Sequence, residues 1–557
     1  MDLSTLARGQ RTAGRLAHIV AILCKYSLAD WLKAVNVRPM RQFLTSFDGQ
    51  PIAGLPTETR IRMALTEMGA TFIKLGQILS TRPDVVGPTL AQELAALQED
   101  APADPPDAVR ALITSELHRP IKELFTEFED QAFASASIGQ VHRARLHDGR
   151  RVVVKVLHHH IENKIATDLD IIMALADLGE KYSAELRNYR PRAVAHEFRR
   201  TLLRELDFRR ELRNIQEFIH NFRGDATVRF PTPHPNLSSR RVLTLDYLDG
   251  IRIADTCRLK SEGHDLRAIA QRGANLVLNM IFRDGFYHAD PHPGNLLVLA
   301  DGSIGVLDCG MVGRIDDSLR DAFITMLLAA ITHDTGQLTD RLLRMAHVPP
   351  DLDRDAFEAE IHDLLADYGT QSLNEFDVSG ALTSLIDIVR RYHLFLPANL
   401  ALLLKALLVL EGTSRQLDRS FSLAEMIQPY YRRAMQEKLS PRRLYRHLRR
   451  MFLEWDHLMQ TLPGDLSDIL ERTKRGRFTF QFEHRRLETS VALLVEGLLS
   501  ASLFLGSTLL LGHRVIPDPW LGVSIPGLLG LPWGLFLIWR VLRTTKKSRN
   551  YTGHGEI

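Results

Sequence analysis

Three oxygen-bearing side chains stand at short intervals in the middle of the chain. Asp290 opens the turn in "HADPHPGN", Asn295 closes it five residues later, and Asp308 follows thirteen residues further on in "VLDCG". Pro291 and Pro293 stiffen the turn between the first two. Hard oxygen donors in this arrangement suit divalent metal ions that bridge phosphates. His288 and His292 share the turn, but no third nitrogen or sulfur ligand lies near them in sequence, so structural roles are expected rather than zinc. The run His158 to His160 reads as a loop without a metal role.

A cation stands upstream. Lys155 lies in "VVVKV", and a lysine inside so apolar a strand predicts a buried functional group rather than a solvated one. Such a lysine needs an acidic partner. The stretch "RELDFRRELRN" offers Glu205, Asp207 and Glu211, read as one helix. Glu211 is the expected partner and Glu205 the second choice. Glu205 and Asp207 are two apart and cannot share a helix face, so they should address different groups. Val141, fourteen residues before Lys155, ends "ASASIGQV". That segment fits the spacing of a G-x-G-x-x-G-x-V phosphate loop, with Ala134 and Ala136 at the first two glycine positions. Ser137, Gly139 and Val141 complete the candidate nucleotide-binding set with Lys155 and Glu211.

Phosphate loop, lysine, Asp-x4-Asn and Asp-x-Gly, in that order, are the elements of a protein kinase site for ATP and Mg2+. In it Lys155 would position phosphates, Asn295 and Asp308 would hold metal, and Asp290 would orient or deprotonate the attacking group.

The surrounding pattern supplies a matching scaffold. Residues 1–130 read as helices, with breaks at "FDGQPIAGLPTE" and "EDAPADPPDA". A small lobe with inserted helices is expected over 131–255, including a hairpin at "HDGR" and a strand after the proline-rich "PTPHPNLSS". A helical large lobe is expected over 256–480, interrupted by a second hairpin around Asp301 and Gly302. The fold class is α+β, two-lobed and kinase-like.

With 557 residues, 45% apolar and 25% charged, the chain is globular and multi-domain. A net charge of +3 gives no ground for a nucleic-acid partner. Cys24, Cys257 and Cys309 are odd in number and widely spaced, which suggests a reducing compartment. "LAHIVAILC" near the N-terminus is too short to span a bilayer and reads as an amphipathic helix, at a membrane surface or against the core. Two C-terminal stretches, Val491–Leu511 and Trp520–Trp539, are each near the ~20 residues a spanning helix needs, so residues 490–542 are expected to form a transmembrane hairpin. Basic residues on both outer flanks place both ends in the cytoplasm by the positive-inside rule. Glu496 would lie near the start of the first span. The basic, aromatic segment Tyr430–Phe452 suits either anionic lipid or a packing face.

The chain resembles the UbiB family of atypical kinase-like proteins linked to ubiquinone biosynthesis. The resemblance rests on "FIKLGQILSTRPD", "ASASIGQV", "VVVKV", "ELDF", "HADPHPGN" and "LDCG", over about residues 55–330, together with the C-terminal hairpin. It implies that the K-x-G-Q helix folds over the active site, with Lys74 and Gln77 facing the nucleotide region and Lys74 near Glu205 or Asp207, all four in regulatory roles. It also implies a bacterial inner-membrane protein with its catalytic part in the cytoplasm, whose partners are membrane lipids and quinone-biosynthesis enzymes or precursors. Cys309 departs from the aromatic residue common in D-x-G and reads as a small apolar substitute, with a redox-sensitive thiol the second reading.

Ala289 stands where kinases commonly carry an arginine, and "DCGMVGRI" leads almost directly into a helical pattern, leaving no room for a peptide platform. The expected activity is therefore a weak, lipid-regulated ATPase supporting ubiquinone biosynthesis. A small-molecule or protein kinase and a nucleotide-gated scaffold are the alternatives.

Overall fold

Alternation along the strand Arg151–Leu157 sends Val152, Val154 and Val156 to one face and Val153 and Lys155 to the other. The first three valines are at most 1% exposed and pack with Val109, Leu112, Ile113 and Phe125 from the preceding helical region. Burying each such side chain contributes about 1.5 kcal/mol or more. Once that face is committed, Lys155 must point to the opposite side.

The protein is described by a computed structural model over residues 3–28, 55–97, 102–183, 187, 189–369, 377–438, 487–512 and 525–550. It divides into two units, Met1–Arg443 and Leu444–Ile557.

In the first unit, five short strands form a sheet in the order Glu127–Phe128, Gly139–Arg145, Arg151–Leu157, Val242–Asp246, with Ala134–Ser135 also paired to the second of these. The hairpin at "HDGR" is present, and Gly149 takes the positive φ (+86°) that its turn requires. A second sheet runs Val228–Arg229, Ile304–Val306, Leu296–Leu299, Gly250–Arg252, and Gly302 turns its hairpin at φ +74°. A third pairs Phe286–His288 with Val312–Arg314.

Helices surround the sheets. The N-terminal helix Leu3–Lys25 buries Ile19 and Ile22 against Met68, Phe72 and Ile171, so "LAHIVAILC" is a packing face of the core. The long helix Ala398–Leu417 packs on Leu266–Leu278 in the main apolar cluster.

Two expectations are corrected. "RELDFRRELRN" is not one helix: Pro191–Glu205 ends, and Phe208–Asn221 starts afresh behind Asp207. Asp207 is extended, and its carboxylate accepts the backbone N–H of Arg209 at 3.2 Å, a helix cap that makes the restart favourable.

The second correction concerns the C-terminus. Residues Leu487–Gly512 and Ile525–Asn550 form two packed helices, but among the described residues no helix is long and apolar enough to cross a membrane. Glu496 is paired with Arg540 of the second helix at 2.7 Å. The basic segment 439–452 lies outside the described residues; Tyr430 before it packs inward and donates to Asn279 Oδ1 at 2.9 Å.

Candidate active site

Lys155 is the centre of the site. Strand register sets it directly opposite Val141, and Val141 in turn opposite Ala134, so the alanine-rich loop and the lysine form one row across three strands. Its ammonium lies 2.6 Å from Glu211 Oε1 and 3.5 Å from Asp308 Oδ2. Burial works against the lysine's charge, but Asp308 and Glu211 outweigh it and hold the group protonated above its ordinary range. Glu211 moves the other way: burial raises its pKa, and Lys155 only partly offsets that. For Asp308 burial is overcome by Lys155 and by the backbone N–H of Gly310, which donates at 2.7 Å, so its carboxyl stays far below the usual range. Lys74 adds to the field that keeps it ionised.

The two remaining oxygen donors reach this cluster through backbone hydrogen bonds. Leu307 N–H donates to Asn295 O at 2.9 Å, tying the Asn295 turn to the strand that delivers Asp308. Asn295 Nδ2 donates to Asp290 O at 3.3 Å, which leaves its amide oxygen for a metal. His288 Nε2 is in contact with Asp308 O, while His292 Nδ1 accepts the N–H of Gly294 at 3.2 Å. Both histidines thus have structural roles, and the described residues hold no cluster of three or more metal-ligating His, Cys, Asp or Glu.

Asp290 Oδ1 is 3.0 Å from Lys405 Nζ. Burial would raise the aspartate's pKa, but Lys405, with smaller contributions from His288 and His292, holds it below the usual carboxylate range. Sequence reasoning missed Lys405, although a lone lysine in the apolar run "ALLLKALLVL" is the same signal that singled out Lys155.

The alanine-rich loop is latched rather than loose. His158 Nε2 reaches Ala136 O at 2.9 Å, and its Nδ1 lies 3.1 Å from Asp104 Oδ2. Asp104 also accepts from His159 N–H at 2.7 Å, and its own N–H donates to Gln140 Oε1 at 2.6 Å. His158 is buried, so the first histidine of the run is a structural residue after all. Gly139 serves packing: a Cβ there would sit 2.6 Å from Val156 O, on the neighbouring strand. Ser135 Oγ and Ser137 Oγ are buried without a hydrogen-bond partner. Orphaned hydroxyls are costly unless a ligand satisfies them; Ser135 is in register with Gln140, one step off the row of Ala134, Val141 and Lys155, and Ser137 follows in the loop.

The K-x-G-Q helix Ala70–Ser80 contributes Lys74, whose Nζ is 3.3 Å from Glu205 Oε2. Gln77 turns toward the chain that follows and donates to Leu97 O at 3.4 Å. Gly76 lets the leucines pack closely there: a Cβ would come within 2.2 Å of the Leu97 Cδ1 methyl, which would have to shift. Just beyond the helix, buried Arg82 pairs with Asp84 at 2.8 Å and Glu197 at 2.9 Å, and donates to Leu396 O at 3.2 Å. Its guanidinium also lies 4.4 Å from the Phe395 ring centroid. Arg82 therefore ties the K-x-G-Q segment to the chain entering the helix of Lys405. Cys309 is fully buried, and burial first, then Glu211 and Asp308, push its thiol well above the ordinary value, as a small core residue requires.

A three-sheet α+β scaffold with Lys155, Glu211, Asp290, Asn295 and Asp308 gathered in this way defines an atypical kinase-like protein. The chain matches the ABC1 atypical kinase-like domain over residues 96–342 and the UbiB helical domain over 361–422. It is 33% identical over 469 residues to the "Probable protein kinase UbiB" of Pseudomonas paraeruginosa, covering 82% of this chain and 87% of that one. The protein of the same name from Aeromonas hydrophila is 32% identical over 492 residues, covering 86% and 89%. The chain belongs to the UbiB family. The solved Rv3197–erythromycin complex from Mycobacterium tuberculosis aligns over 58% of this chain and 89% of that one, at 22% identity and a TM-score of 0.41.

Proposed function

We propose that this protein binds Mg-ATP in the Lys155 cluster and hydrolyses it slowly in support of ubiquinone biosynthesis. The observation that carries the reading is the single ion cluster in which Lys155 meets both Glu211 and Asp308, with Asn295 bonded to the same hairpin. Bound magnesium would neutralise phosphate charge from Asn295 and Asp308. Lys155 would bind phosphate oxygens, the orphaned Ser137 hydroxyl in the adjoining loop would donate to them, and Asp290 would orient the attacking group.

Water or a small molecule fits the acceptor position better than a peptide. After Asp308 the chain passes straight into the strand Val312–Arg314, and only Ile315 and Asp316 separate it from the helix Asp317–Ile331. No segment remains to form a peptide platform.

The C-terminal pair of helices would hold the protein at the bacterial inner membrane, with the catalytic unit on the cytoplasmic side. What supports this is its exposed apolar surface, which includes Leu498, Leu499, Leu505, Leu529, Trp533, Phe536 and Trp539. Anionic lipid would then regulate turnover, and quinone precursors or their enzymes would be the partners.

The relatives, named probable protein kinases, favour a second reading, transfer of the γ-phosphate to an acceptor. Following labelled γ-phosphate in membranes separates the two. Label in inorganic phosphate alone supports hydrolysis; label in lipid, quinone head group or protein overturns it.

A further inference from the structure

Lys405 is 115 residues from Asp290 in sequence, yet the two form an ion pair at 3.0 Å. The lysine rides on the helix Ala398–Leu417, where Leu403, Leu404, Ala406 and Leu407 around it are buried. Its side chain is 15% exposed, and among the described residues Asp290 is its one ion-pair partner. A cation placed at the edge of such an apolar helix is held to that one task.

The helix is pinned in place over the catalytic turn by separate contacts. Tyr287 Oη, three residues before Asp290, donates to Asn399 O at 2.9 Å in the first turn of the same helix. Gly313 makes room for the ring, since a Cβ there would come within 2.2 Å of it. Arg82 holds Leu396 O just before the helix begins. These contacts hold the backbone on both sides of the pair, Lys405 Nζ engages Asp290 Oδ1, and Oδ2 would serve the attacking group.

We infer that Lys405 is a positioning residue for Asp290: the helical segment after the kinase-like domain supplies, through one ion pair, the cation that orients the candidate catalytic carboxylate. The kinase-like domain over residues 96–342 does not contain it. The site is therefore built from both matched domains, and movement of the helix Ala398–Leu417 would disarm Asp290 without touching the nucleotide. This rests on the ATP-consuming reading above.

The test uses the full chain and measures kcat and KM for Mg-ATP. Lys405→Met is expected to lower kcat about 10- to 100-fold, with KM within about twofold. Lys405→Arg should recover most of the loss. In an Asp290→Asn background, Lys405→Met should cost nothing further, because the carboxylate it orients is gone. Wild-type kcat in Lys405→Met, or the same fold loss in both backgrounds, overturns the inference and leaves the lysine a packing role. If Lys405→Met fails to fold, Lys405→Gln carries the same comparison. No turnover in the wild type would instead overturn the ATP-consuming reading, and the inference with it.

Discussion

Lys155 Nζ lies 2.6 Å from Glu211 Oε1, and the two side chains are 17% and 7% exposed. The pair is nearly removed from water, so each charge depends on the other. Removing the lysine leaves Glu211 buried beside Asp308 with no nearby cation of equal strength. Lys155→Met is expected to destabilise the fold by about 3 kcal/mol and to abolish Mg-ATP binding, whereas Glu211→Gln should be milder in both. Urea denaturation and nucleotide titration check this.

The same cluster predicts a pH dependence. The Asp308 carboxyl is depressed in the folded protein, so its contribution to stability is complete above the ordinary carboxylate pKa of ~4 and is lost as pH falls below it. The stability gap between wild type and Asp308→Asn should therefore be constant from pH 7 to about 5 and should shrink toward pH 3. Chemical denaturation at several pH values measures it; a gap that widens on acidification contradicts the assignment.

Glu205 and Asp207 should fail differently. Glu205 meets Lys74 with side chains 11% and 15% exposed, so Glu205→Lys should disrupt the K-x-G-Q helix contact, and Lys74→Glu in the same chain should restore it. Asp207 caps a helix and forks onto Arg209. Asp207→Ala should cost about 1 kcal/mol of stability and leave the Lys74 pair intact. Thermal melts and turnover, read together, separate the two.

Asp104 lies in the proline-rich break before the small lobe, yet it accepts from His159 N–H and sits 3.1 Å from His158. Asp104→Ala should loosen the alanine-rich loop. Amide hydrogen exchange over residues 134–141 should speed up, and KM for Mg-ATP should rise severalfold, with kcat changed less. Unaltered exchange would show that the loop does not depend on this latch.

The order and spacing of the site were legible because each element carries its own local signal. Lys155 announced itself by an apolar run, Asp290 and Asn295 by a proline-stiffened turn, and Asp308 by the hairpin that precedes it. A buried lysine demands an acidic partner, which pointed to Glu211 or Glu205; only the fold separates them, with Glu211 on Lys155 and Glu205 on Lys74. The rest depended on contacts that no local pattern encodes. Arg82 looks like an ordinary charge after a helix until Glu197 and Leu396 O close around it. Asp104 reads as loop composition, and the latch exists only because His158 folds back onto Ala136. Lys405 had the same signal as Lys155, but no motif pointed to an acid 115 residues earlier. The single helix expected through "RELDFRRELRN" failed for a local reason, since Asp207 prefers to cap.

Phosphate release from Mg-ATP by the purified full-length protein, measured beside Asp308→Asn, tests the central claim most directly. The account predicts slow release that requires Mg2+, rises with anionic liposomes, and falls at least about a hundredfold in the variant. Equal release by Asp308→Asn, or a wild type that neither binds nor turns over Mg-ATP, would contradict it.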